Sequence, residues 1–124
     1  MMLAISALIT WAQGNSNETF TTIEVDEFQH ILENSDNYIL VDVRTQAEYE
    51  ESHLIGAILI DIKDAHFKEN AMKQLPKDKT IMVYCRSGRR SAQAAGALAA
   101  DGYQVINLKG GIMAWELAGK ETVK

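Results

Sequence analysis

Two short apolar runs constrain this chain most: Tyr38-Ile39-Leu40-Val41-Asp42-Val43 and Ile81-Met82-Val83-Tyr84. Neither alternates apolar with polar residues, as a strand with one wet face would. Each therefore predicts a strand covered on both faces, the habit of a parallel sheet between helices. The intervening segments agree. Val25 to Asn34 carries Val25, Phe28, Ile31 and Leu32 at helical spacing. Thr45 to Ser52 is polar and suits a short helix, with Thr45 as N-cap and Glu48 at the third helical position, a capping box. Ala57 to Ile62 predicts a further short strand, and Lys63 to Leu75 a helix and its exit. The single proline, Pro76, opens a turn over 76–79. Arg89 to Ala100 predicts a helix whose many alanines allow close approach to a sheet, with Gly102 just past its end. Tyr103 to Leu108 predicts a last strand, and Gly110-Gly111 turns the chain into a helix over Ile112 to Ala118, anchored by Trp115. Strands alternating with helices predict an α/β domain with a central, mostly parallel sheet flanked by helices.

The length of 124 residues suits one domain with a core that needs no disulfides. The domain is expected over 21–124, preceded by an apolar leader and polar linker over 1–20. Residues 1–12 are almost wholly apolar, and 13–19 are polar. Twelve residues are too few to span a bilayer, which takes about twenty. They fit the apolar region of a signal peptide, with Thr10-Trp11-Ala12 as a small-residue cleavage site, which favours export to a bacterial periplasm over the cytoplasm. No Lys or Arg precedes Arg44, so the basic start of such a signal is missing. The same segment is alternatively a helix that packs on the domain or joins two copies into a homodimer, or a disordered leftover.

The formal net charge is −5, and the basic residues form no long stripe, so nucleic acid is not an expected partner. The three histidines lack paired spacing and only one cysteine is present, so neither a metal site nor an intrachain disulfide is expected.

That cysteine, Cys85, stands between the second apolar run and the alanine-rich helix. It is followed by Arg86-Ser87-Gly88-Arg89-Arg90-Ser91. Helix N-termini and cationic neighbours both favour a thiolate, the nucleophilic form of cysteine. Successive backbone N–H groups in such a loop can converge on one anion. The residues thus predict a reactive sulfur inside an anion cradle. The alternative, a buried structural cysteine, sits poorly beside three arginines.

Four segments in order resemble the rhodanese-like sulfurtransferase family, over about Thr21 to Ala118. They are Asp42-Val43-Arg44 with Glu48-Tyr49, then His53-Leu54-Ile55-Gly56-Ala57, then Cys85 to Ser91, then Asn107 to Ile112 with Trp115. Two departures stand out: Ser52 where the family often has Gly, and Ile60-Asp61-Ile62 in place of an Ile-Pro ending. The resemblance implies a rhodanese-like three-layer domain. It implies transfer of sulfane sulfur from thiosulfate or a persulfide to a thiol or cyanide, through a persulfide on Cys85 and without a cofactor. It also leaves room for a sulfur-relay protein as partner. In this frame Arg90 is expected to face inward and Arg86 to meet donor or acceptor at the mouth, with Arg89 less defined. Gly88 allows φ > 0 or close backbone approach, and Ser87 and Ser91 add hydroxyl donors. Asp42 orients an arginine or the loop, or else forms a plain strand-end salt bridge. Arg44 is either a structural ion pair or a rim contact.

Two rival readings remain. Cysteine phosphatases and related arsenate reductases hold an oxyanion in a loop with five residues between Cys and Arg; here that position is Ser91, and Arg90 comes one earlier. The other rival is a sulfur carrier or interaction module that works only with a partner protein.

Overall fold

The computed structural model describes residues 19–124, so the expectations for the leader as signal, packing helix or dimer contact lie outside the described residues. The elements are β1 (Thr21–Ile23), α1 (Val25–Asn34), β2 (Tyr38–Asp42), α2 (Gln46–Glu51), β3 (Ile58–Leu59), α3 (Phe67–Gln74), β4 (Thr80–Tyr84), α4 (Arg89–Ala100), β5 (Val105–Leu108) and α5 (Gly111–Leu117). All strands pair in parallel, in the order β1-β5-β4-β2-β3.

The two apolar runs become the neighbours β2 and β4, aligned from Tyr38 opposite Thr80 to Asp42 opposite Tyr84. Their side chains alternate between two cores, as the two-residue period of a strand requires. Val41, Val43, Ile81, Val83 and Cys85 pack with Phe67 and Ala71 of α3 and Ala94, Ala95 and Leu98 of α4. Leu40, Met82 and Tyr84 point the other way, against Phe28 of α1 and Ile112 and Trp115 of α5. The result is three layers: α1 and α5, sheet, α3 and α4.

Two differences from the expected strands fall at the sheet edges. β1 is an additional edge strand on β5; two of its three residues are exposed, so it carries no burial pattern to read. The strand expected over Ala57 to Ile62 narrows to β3. Beyond it the chain still bonds to β2, with Ile60 N–H donating to Asp42 O at 2.9 Å and Ile62 N–H to Val43 O at 3.0 Å. The two departures from the family pattern are accommodated here. Ser52 caps α2 with φ −170°, extended backbone that needs no glycine. Asp61 closes a local turn by accepting Lys63 N–H at 2.8 Å.

Candidate active site

Cys85 leaves the carboxyl end of β4 almost completely buried, 1% exposed. Its sulfur accepts the Gly88 N–H at 3.1 Å. Burial by itself pushes a thiol up. Here it is outweighed by the Ser91 hydroxyl, then the N–H groups of Ser91, Gly88 and Ser87, which together hold the Cys85 pKa below its ordinary value. The Ser91 hydroxyl is fully buried and completes no hydrogen bond of ordinary geometry, yet it lies near enough to the sulfur to favour its anion. The Gly88 N–H points at the sulfur, and the neighbouring N–H groups and the Ser91 hydroxyl favour its anion. Cys85 alkylation by iodoacetamide should have a pH midpoint below the free value of about 8.5. A midpoint at or above that value would mean the loop donors do not reach the sulfur.

Two glycines give the loop its path. Gly88 caps α4 with φ +106°, the left-handed backbone expected of it, and a Cβ there would meet Gly110 N at 3.4 Å. Behind the loop, the start of α5 grips the main chain. Ile112 N–H donates to Cys85 O at 2.9 Å, and Met113 N–H to Arg86 O at 3.1 Å. These first-turn N–H groups of α5 have no partner within their own helix, so the loop carbonyls satisfy both sides. Gly111, with φ +62°, must lie flat against the same carbonyls; a Cβ on it would sit 2.5 Å from Cys85 O. Sequence reasoning placed Gly111 in a turn and missed its part in the site.

The three arginines divide differently from the expectation. Arg86 and Arg89 are exposed, and Arg90 is half-buried. Arg90 is thus the most buried of the three, and its fork is taken up by a carboxylate. Its two terminal nitrogens donate to the two oxygens of Glu48 at 2.8 and 2.9 Å. Glu48 also closes the predicted capping box with Thr45, from which it accepts the backbone N–H at 3.1 Å and the hydroxyl at 3.0 Å. Arg90, opposed by burial but helped by Thr45, holds the Glu48 carboxyl down at about 2. Glu48 was legible in the sequence as a helix cap; as the partner of Arg90 it was not.

Asp42 ends β2 on the same rim as Cys85, yet its side chain lies on the opposite face of the sheet. It is fully buried, takes the Tyr84 hydroxyl at 2.6 Å, and pairs with Arg44 Nη2 at 2.7 Å. So Asp42 orients Arg44 through a salt bridge at the end of its strand, which joins the two readings made of it. Burial and the Asp42 charge push the Tyr84 phenol well above its usual range. Arg44 is the structural ion pair of its two readings, 4% exposed, and it also donates to Ser52 O at 2.6 Å, which fixes the end of α2. At the surface, a pocket of about 290 Å³ lies beside the loop, lined by Arg86, Glu51, Ser52, Met113 and Glu116, with Arg44 and Glu48 deeper. Ser87 is exposed at the loop tip.

The histidines serve locally. His30 bonds Asn34, His53 stacks on Tyr49 with ring centres 3.8 Å apart, and His66 faces Glu69. Among the described residues, no group of three or more His, Cys, Asp or Glu is arranged to hold a metal ion.

The profile of the Rhodanese-like domain matches residues 24–118. The chain belongs to the rhodanese-like domain family. It is 37% identical to a sulfurtransferase of Allochromatium vinosum over 78% of this chain and 89% of that protein. It is 35% identical to the probable adenylyltransferase/sulfurtransferase MoeZ of Mycobacterium tuberculosis, over 84% of this chain but only 26% of that longer protein. The crystal structure of a rhodanese-related protein from Thermoplasma volcanium superposes with a TM-score of 0.74 at 28% identity, covering 84% of this chain and 98% of that one. This rhodanese-like domain is thus similar in sequence to a sulfurtransferase and in fold to a rhodanese-related protein.

Proposed function

We propose that the chain is a sulfurtransferase that carries sulfane sulfur on Cys85. The observation that supports this most is the Cys85 sulfur, aimed at the Gly88 N–H within a loop whose donors favour its anion. In the first half-reaction the thiolate attacks the outer sulfur of thiosulfate. A Cys85 S–S bond forms, the S–S bond of thiosulfate breaks, and sulfite leaves with the electron pair. No proton need move, because an anion enters and an anion leaves. The outer sulfur now carries the charge, and N–H donors already in place can stabilise it without reorganising. In the second half-reaction a thiolate or cyanide attacks that outer sulfur and Cys85 departs as a thiolate again. Two half-reactions on one nucleophile give ping-pong kinetics.

Mixing the protein with excess thiosulfate should add the mass of one sulfur atom, and cyanide should remove it. A mass unchanged by thiosulfate and by a low-molecular-weight persulfide alike would overturn the reading. MoeZ, which contains a matching segment within a longer protein, favours a second reading in which a partner protein supplies or receives the sulfur. Turnover of thiosulfate and cyanide by the isolated chain would decide for a free-standing enzyme.

A further inference from the structure

The donor in this reading is a dianion, and an arginine fork is the side chain best suited to grip its oxygens. Arg90 is the most buried of the three loop arginines, and the charge on Cys85 favours its cation. Yet both of its terminal nitrogens face Glu48. Glu48 in turn cannot drift. Thr45 holds its carboxylate through two hydrogen bonds, and α2 is pinned by Arg44 on Ser52 O and by the Tyr49 hydroxyl on Ala57 O at 2.6 Å. Among the described residues, Arg86 and Arg89 make no ion pair and lie exposed, Arg86 on the wall of the pocket beside the loop.

We infer that Glu48 is a positioning residue that withholds Arg90 from the sulfur donor, leaving the donor's oxygens to Arg86 and Arg89. The inference rests on the sulfurtransferase reading and adds a role within it. Its physical sense lies in the leaving group. Sulfite carries the same oxygens as thiosulfate, so a fork that held the donor tightly would hold the product equally well. Such uniform binding lowers KM without helping the chemical step.

The test is Glu48→Gln. Glutamine also serves at this position of a capping box, so the change removes the charge and keeps the cap. The probe is sulfate, which has a sulfonate-like set of oxygens and does not react, measured by its protection of Cys85 against iodoacetamide at constant ionic strength. Glu48→Gln should bind sulfate about tenfold more tightly, the scale of one charge-assisted hydrogen bond. Its KM for thiosulfate should fall, and kcat should not rise. Glu48→Asp, which keeps the charge, should stay near wild type in sulfate affinity. A residue that merely supported the fold would give weaker sulfate binding and a higher KM, and sulfate affinity unchanged or reduced in Glu48→Gln overturns the inference. Should that variant fail to fold, the neutral pair Glu48→Gln/Arg90→Gln decides. Sulfate protection within about twofold of wild type supports the inference, whereas a tenfold loss means Arg90 itself holds the anion. Protection requires no turnover, so a wild-type protein that gains no sulfur from thiosulfate or from a low-molecular-weight persulfide sinks the sulfurtransferase reading and leaves this measurement standing.

Discussion

Cys85→Ala should abolish sulfur transfer while the protein remains folded. The chain has one cysteine, so no second thiol can take over the persulfide. Loss of the attacking atom removes the covalent route entirely, and transfer should fall by more than roughly 10³-fold. Stability should change far less. Cys85 is buried in the core on the α4 side, and removing one sulfur there is a modest truncation, on the order of 1 kcal/mol. Cys85→Ser sharpens the point. Its hydroxyl would find the Gly88 N–H as a partner, so the variant should be well folded, yet a hydroxyl is scarcely ionised at neutral pH and cannot replace a thiolate. Circular dichroism would check the fold, and a thiosulfate–cyanide assay the rate. Transfer by Cys85→Ala at a rate near wild type would end the persulfide mechanism.

Gly111→Ala should be the most damaging single methyl group in the site. Gly111 has φ +62°, and an L-residue held in left-handed backbone costs about 1–2 kcal/mol. The added Cβ would also strike the carbonyls of Cys85 and Arg86, which are main-chain atoms and cannot swing aside. Those carbonyls accept the Ile112 and Met113 N–H groups that hold the loop from behind. Displacing them moves Cys85 relative to its own N–H donors, and a misplacement of about 1 Å can reduce a rate by roughly a hundredfold. Gly56→Ala is the matching control. Gly56 has φ +86° and nothing within 4 Å of an added Cβ, so it carries the backbone penalty without the clash. Both variants should melt below wild type. Only Gly111→Ala should lose transfer on the scale of a hundredfold, and equal rates in the two would show that the α5 contact does not shape the loop.

The two apolar runs and the alanine-rich segment were sufficient for the layered parallel fold. A strand buried on both faces must be apolar throughout, and that pattern is local. The capping box of Thr45 and Glu48 was legible for the same reason, since its partners lie three residues apart. Gly88 could be read as a special backbone position, and Cys85 as the nucleophile, because strand end, glycine and helix start are contiguous. β1 was not legible, being short and mostly exposed. Neither was the face of the sheet that Asp42 takes. Which face of the sheet a strand-end side chain takes depends on register, and register puts Asp42 with Tyr84 and away from the loop. Glu48 and Arg90 are 42 positions apart, as are Asp42 and Tyr84. No periodicity links such residues. They meet because the sheet places β2 beside β4, so that the helix after one strand starts next to the loop after the other. Local pattern was thus enough to read the layers and to single out Cys85 as the candidate nucleophile. That Arg90 meets Glu48 could be seen only in the folded chain, because it depends on which strands are neighbours.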